Sequence, residues 1–153
     1  MEKIDSFKID HDRHPVGFYL SKQMGDIYTY DLRMKTPNGG DYLAVPALHS
    51  IEHLVATAIR NGREKDKVVY FGPMGCRTGC YLLLKGIPFD EAKKLLIETL
   101  KVCLDFDEVP GAKREECGNY LDEGRNRGSY HARSILRGMA QSVGNLQRSK
   151  RSI

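Results

Sequence analysis

Apolar and polar positions along the chain follow two rhythms, and the switches between them predict its elements. Residues 27–34 alternate strictly, with Tyr28, Tyr30, Leu32 and Met34 on one side and Ile27, Thr29, Asp31 and Arg33 on the other. This is a strand with Arg33 on its more polar face. Residues 16–20 read as a shorter strand ahead of it, and Phe7 and Ile9 share one side of an extended N-terminal segment. The turn chemistry of Thr36-Pro37-Asn38-Gly39-Gly40 closes the strand and opens a loop reaching about Pro46.

The period then lengthens to that of a helix, from Pro46 or Ala47 to Arg60, with Asn61-Gly62 as its stop. Leu48, Ile51, Leu54, Val55, Ala58 and Ile59 form one arc; His49, Glu52, His53, Ala56 and Arg60 form the other. Residues 67–71 read as a buried strand. A glycine-rich bend, Gly72-Pro73-Met74-Gly75-Cys76-Arg77-Thr78-Gly79, leads into another strand over 80–85. Residues 90–106 are a second amphipathic helix, with Asp90 as a cap and Ala92, Leu95, Leu96, Leu100, Cys103 and Leu104 as its stripe. Pro110-Gly111 breaks the chain before a third segment over 112–121. Gly124 to Gly128 interrupts again, ahead of a last helix with Tyr130, Ala132, Ile135, Leu136 and Met139 on its apolar side. This order predicts an α+β fold: an antiparallel sheet packed against helices in two layers, in one domain over 1–153.

Composition narrows the class. With 41% hydrophobic and 29% charged residues in 153, the chain has the balance of an ordinary globular protein, which excludes a disordered one. There is no apolar run of membrane-spanning length and no signal-peptide core, so we expect a cytoplasmic protein with no membrane partner. The net charge of +4 is compatible with an acidic partner. Its one dense basic cluster, Arg148, Lys150 and Arg151, reads as a solvated tail, so no nucleic-acid partner is expected. Four cysteines in a reducing compartment are filler, ligands or reactive thiols rather than disulfides.

The chemistry is concentrated in His49-Ser50-Ile51-Glu52-His53. Imidazoles four residues apart on one helical face can chelate a divalent cation, and the carboxylate beside them is a candidate base, as in the H-x-x-E-H arrangement of inverted zincins. A polar, solvated helix face is the plain alternative. Cys117 offers a soft third ligand, which would suit zinc or ferrous iron and leave one position open; read alone, it is equally a structural thiol. Glycines around Cys76 allow an exposed, reactive thiol, or simply a hairpin loop that carries a cysteine. Cys80, in an apolar strand, reads as packing, and Cys103 as core. Arg60, roughly 10 Å along the helix from the His–Glu pair, either meets an anionic ligand or caps the helix dipole.

Taken together, SFKIDH, DLR, HSIEH, GPMGCRTG and ECGN, in that order, resemble S-ribosylhomocysteine lyase, the bacterial autoinducer-synthesis enzyme family. The resemblance covers residues 6 to about 120. It implies a single catalytic domain with an inverted-zincin-like fold, and a divalent metal, Fe2+ with Zn2+ or Co2+ as substitutes, held by His49, His53 and Cys117. Glu52 and Cys76 would be the acid–base pair, and Ser6, His11, Arg33 and Arg60 the substrate contacts. It further implies cleavage of S-ribosylhomocysteine to homocysteine and dihydroxypentanedione by carbonyl migration and β-elimination, in a homodimer whose active sites lie at the interface. Arg77, Cys80 and Tyr70-Phe71-Gly72 depart from the family pattern, and Arg77 beside Cys76 is a candidate for lowering the thiol's pKa. A metallopeptidase of the inverted-zincin class and a non-catalytic metal or redox-sensing module are the alternatives.

Overall fold

The computed structural model describes the backbone of residues 1–122 and 127–149. Four strands, β1 (Gly17–Met24), β2 (Ile27–Arg33), β3 (Val68–Pro73) and β4 (Gly79–Lys85), form one antiparallel sheet in the order β1-β2-β4-β3. Helices α2 (Val45–Arg60), α3 (Phe89–Leu104) and α4 (Arg127–Ser149) complete the α+β architecture, with a short helix, α1 (Asp5–Lys8), near the N-terminus.

The strict alternation in β2 explains how the layers meet. Tyr30 and Leu32 pair across the sheet with Leu82 and Cys80, and all four are fully buried in one cluster with Leu54, Val55 and Ile59 of α2, Leu96 and Leu100 of α3, and Leu136 of α4. Phe18 and Tyr30 stack at 5.1 Å, and Phe18 stacks on Phe89 of α3 at 5.7 Å. Tyr30 donates its hydroxyl hydrogen to the Ile87 carbonyl at 2.6 Å, so the polar end of the ring is satisfied inside the core.

Several sequence expectations shift. The N-terminal segment forms the four-residue helix α1 rather than a strand, and Phe7 is exposed. β1 runs on past Leu20 to Met24 as a polar edge strand, with a register shift between Leu20 and Lys22. β3 is the other edge, so Val69 and Tyr70 stand nearly half exposed, contrary to a buried strand. Pro88, not Asp90, is the cap residue of α3; Asp90 lies within the first turn, where a negative charge suits the helix dipole. Residues 112–121 form turns, with a 3-10 turn at Tyr120–Asp122. α4 already starts at Arg127, inside the stretch expected to interrupt it, and Tyr130 is exposed. Residues 124–126 and the basic side chains of Arg148, Lys150 and Arg151 lie outside what is described.

Candidate active site

Helix α2 presents the first half of the site. Its inward arc of Leu48, Ile51, Leu54, Val55, Ala58 and Ile59 is buried as the spacing requires, and Asn61 and Gly62 end it by donating to the Ala58 and Ile59 carbonyls. Burying that arc fixes the rotation of the helix, which leaves His49, Glu52 and His53 half-buried along its flank. The two imidazole rings are 4.8 Å apart and meet edge to face. Cys117, from the turns that follow α3, brings Sγ to 3.4 Å from His49 Nε2. One ligand atom from each of His49, His53 and Cys117 lies within 4.8 Å of the others. Two imidazoles and a thiolate are the borderline-to-soft donors that zinc and ferrous iron take, and three ligands leave a position for substrate or water. The donor set therefore fits a catalytic divalent cation.

Partners behind the candidate ligands set which nitrogens would face a cation. His53 Nδ1 is 2.8 Å from the Pro110 carbonyl, and a carbonyl can only accept, so the proton sits on Nδ1 and Nε2 keeps its lone pair. His49 Nδ1 lies 3.7 Å from the Asp122 carboxylate, while its Nε2 points at Cys117. Gly111 completes this support at φ +72°, where a Cβ would stand 3.0 Å from His53 Nδ1. Pro110-Gly111, read from sequence as a chain break, is thus the backing of a candidate ligand. No side-chain pattern signals it, because the contact is made by a main-chain carbonyl.

The second half is built on the sheet. Gly79 begins β4 opposite Arg33, and a Cβ there would fall 2.4 Å from the Leu32 carbonyl oxygen, so only glycine allows the strands to start this close together. Ahead of it, Met74 and Arg77 close a turn with Arg77 at φ +58°, which leaves Cys76 exposed at its tip. Beneath the thiol, Arg33 is buried and forked onto Asp31, with Nε 3.2 Å from Oδ1 and Nη2 2.7 Å from Oδ2. His14 closes the other side of Asp31 at 3.0 Å. The remaining edge of Arg33 donates to Thr78 Oγ1 at 2.7 Å and passes 3.9 Å from Cys76 Sγ. The face expected to be polar is therefore polar but not solvated: Asp31 and Arg33 bury each other as an ion pair.

Burial pushes the Cys76 thiol up. Hydrogen bonds from the Thr78 hydroxyl and backbone N–H, with the charge of Arg33, outweigh that and hold it below the ordinary thiol value. Arg77 is not the cause, because its guanidinium turns to the Leu43 carbonyl and the Tyr42 ring. Cys80 is core, and burial, with the charges of Glu52 and Asp31, pushes its thiol far up, so it stays inert.

The two halves line different cavities. Cys76 and Thr78 share one of about 240 Å3 with His11, Pro37, Asn38 and Tyr42. Glu52 and His53 share another of about 370 Å3 with Ala56, Thr57, Arg60 and Asn61. Of the substrate contacts implied by the resemblance, His11 thus faces Cys76, Arg60 faces Glu52, and Arg33 is occupied by Asp31 and Thr78. Ser6, half-buried in α1, is not among the residues lining either cavity. Asp31, Thr78, Pro110 and Asp122 are the supporting residues that sequence reasoning missed. Asp31 had a signal, two positions before Arg33 on the same strand face.

A sequence model of the S-ribosylhomocysteinase (LuxS) family matches residues 4–145. The chain is similar to the S-ribosylhomocysteine lyase of Clostridium beijerinckii, at 44% identity over 89% of this chain and 90% of that one. It is 48% identical to the S-ribosylhomocysteine lyase of Phocaeicola vulgatus over 79% and 80% of the two chains, and 38% identical to that of Borreliella burgdorferi over 89% and 91%.

Proposed function

The chain belongs to the S-ribosylhomocysteinase family, and we propose that it is a metal-dependent carbon–sulfur lyase that cleaves S-ribosylhomocysteine to homocysteine and dihydroxypentanedione. The observation that carries this reading is the convergence of His49, His53 and Cys117, with Glu52 on the same flank of α2. A thioether leaves from a sugar only when a carbonyl lies two carbons away, so the carbonyl must migrate along the chain before the sulfur is eliminated. When bound, the divalent cation supplies Lewis acidity for the negative charge that develops on the sugar oxygens.

The protein's own residues move the protons. Cys76, as thiolate, removes a proton from carbon beside the carbonyl and returns it to the neighbouring carbon; its depressed pKa raises the share of thiolate available for this. Glu52 carries protons between the sugar hydroxyls and takes the proton that must be lost as the carbon–sulfur bond breaks. His11 and Arg60, one in each cavity, would hold the two ends of the substrate, Ser6 would contribute from α1, and Arg33 would act from beneath Cys76.

Because Cys76 and Glu52 line different cavities, we place the working site in a homodimer, the thiol half of one protomer facing the metal half of the other. The reading includes one catalytic domain over 1–153 with an inverted-zincin-like arrangement, Fe2+ as the metal in the cell with Zn2+ or Co2+ as substitutes, and a cytoplasmic setting in which all four thiols stay free. The soft donor Cys117 is the feature that argues against a peptidase, whose third ligand would be a carboxylate. The test is to incubate anaerobically purified protein with S-ribosylhomocysteine and follow release of free thiol. Stoichiometric release supports the reading; none from metal-replete protein overturns it.

A further inference from the structure

Thr78 is 98% buried, yet its hydroxyl has two partners, and the chemistry of one of them fixes the direction of its hydrogen bond. A guanidinium has no acceptor, so Arg33 Nη1, at 2.7 Å, can only donate to Thr78 Oγ1. The single hydroxyl hydrogen is then free to point at Cys76 Sγ, 3.1 Å away. Arg33 Nη1 also donates to the sulfur directly, but at a long 3.9 Å, while Nε and Nη2 are turned to Asp31, whose carboxylate neutralises much of its charge. Of the two contacts to the sulfur, the one through the hydroxyl, at 3.1 Å, is the shorter.

We propose that Thr78 is a positioning residue for the reaction: held by Arg33, it donates its hydroxyl hydrogen to Cys76 Sγ and keeps the sulfur a hydrogen-bond acceptor aimed into the cavity shared with His11. This rests on the reading of Cys76 as the proton-transferring base. A neutral thiol can give its hydrogen to the second lone pair of Thr78 Oγ1, whereas a thiolate has none to give, so the Thr78 hydroxyl donates to the sulfur when Cys76 is the base. The depressed thiol pKa, with Thr78 supplying its leading favourable contributions, agrees with this geometry.

Other charged or titratable groups surround the sulfur. Asp31 and Arg33 lie beneath it on β2, His11 and Tyr42 face it across the cavity, and Tyr81 on β4 is pushed up by burial, with Asp31 and Cys76 adding to the rise. Arg77, adjacent in the chain, is turned to Leu43 and Tyr42. Replacing Thr78 alone leaves all of these in place.

The test is site-resolved alkylation of Cys76 by iodoacetamide across pH in the metal-loaded protein, read by mass spectrometry, beside the pH profile of kcat. Thr78→Val keeps the shape and removes the hydroxyl. The midpoint of alkylation should move up by about one pH unit, the acid limb of kcat should move with it, and Thr78→Ser should restore both. If valine prevents folding, Thr78→Ala is read in the same way. A wild-type midpoint in the valine or alanine variant overturns the proposal, because Arg33 would then hold the sulfur without the hydroxyl. Failure of the underlying reading looks different: Cys76→Ala would retain full turnover, whatever Thr78 does to alkylation.

Discussion

His49 and His53 stand four residues apart on one helix, whereas Cys76 works through Thr78, two residues on in its own turn, and through residues 31 and 33, which strand pairing brings beneath it. In the metal half, sequence spacing sets the geometry, and its backing comes from a carbonyl and a carboxylate in irregular chain at Pro110 and Asp122. In the thiol half, spacing sets only the Thr78 contact, and the backing is a buried ion pair in the sheet. The difference teaches that reactive groups on a helix can be supported lightly, because the helix already holds their separation. A thiol at a turn tip needs its environment brought to it.

This contrast can be broken by substitution. The largest expected effect is on Cys117→Ala, which leaves two ligands and should drop bound metal from one ion per chain to little or none, measured by elemental analysis after gel filtration; full metal retention would sink the ligand assignment. Cys76→Ala should keep its metal and lose roughly a thousandfold in turnover. The same thiol sets a pH direction in the parent enzyme. A thiol held below its ordinary value is a thiolate above that depressed pKa, so activity extends to lower pH than an ordinary thiol would allow and fails as pH falls through the depressed value. An acid limb that survives in Cys76→Ser would point to another group.

Stability should respond most in the sheet. Asp31→Asn leaves the Arg33 guanidinium buried without its counter-charge, for a loss of about 3–5 kcal/mol in denaturant unfolding, with the metal site unaltered before unfolding begins. An unchanged midpoint would mean that the ion pair does not hold this half together. The smallest effect belongs to Asp122→Asn, where competition with a chromogenic chelator should show metal affinity falling by about tenfold and the fold intact. A loss as deep as that of Cys117→Ala would erase the distinction between light and heavy support.

Helix α2 and its ligand face were legible because a 3.6-residue period sorts core from flank, and burial of Ile51, Leu54, Val55 and Ile59 leaves His49, Glu52 and His53 one place to go. β2 was legible for the same kind of reason. Alternation placed Arg33 and Asp31 on one, more polar face, but it says which side a residue takes and not what covers it, so the ion pair that buries them went unread. The edge strands were misjudged because β1 continues through Ser21, Lys22 and Gln23, whose polarity suits an edge exposed to water and hides the strand. Cys117 was named through the order of the motifs, since nothing in its own turn distinguishes a ligand from a structural thiol. Pro110 was beyond reach, because every residue has a carbonyl.

Gly111 turns that last point into a rule for judging variants. Its φ of +72° and the 3.0 Å between its missing Cβ and His53 Nδ1 mean that a methyl group there would strain the main chain and press on the ring. Gly111→Ala would keep both histidines, the glutamate and both cysteines, so a census of functional residues would pass it as sound. Its defect would be one of aim, not of inventory.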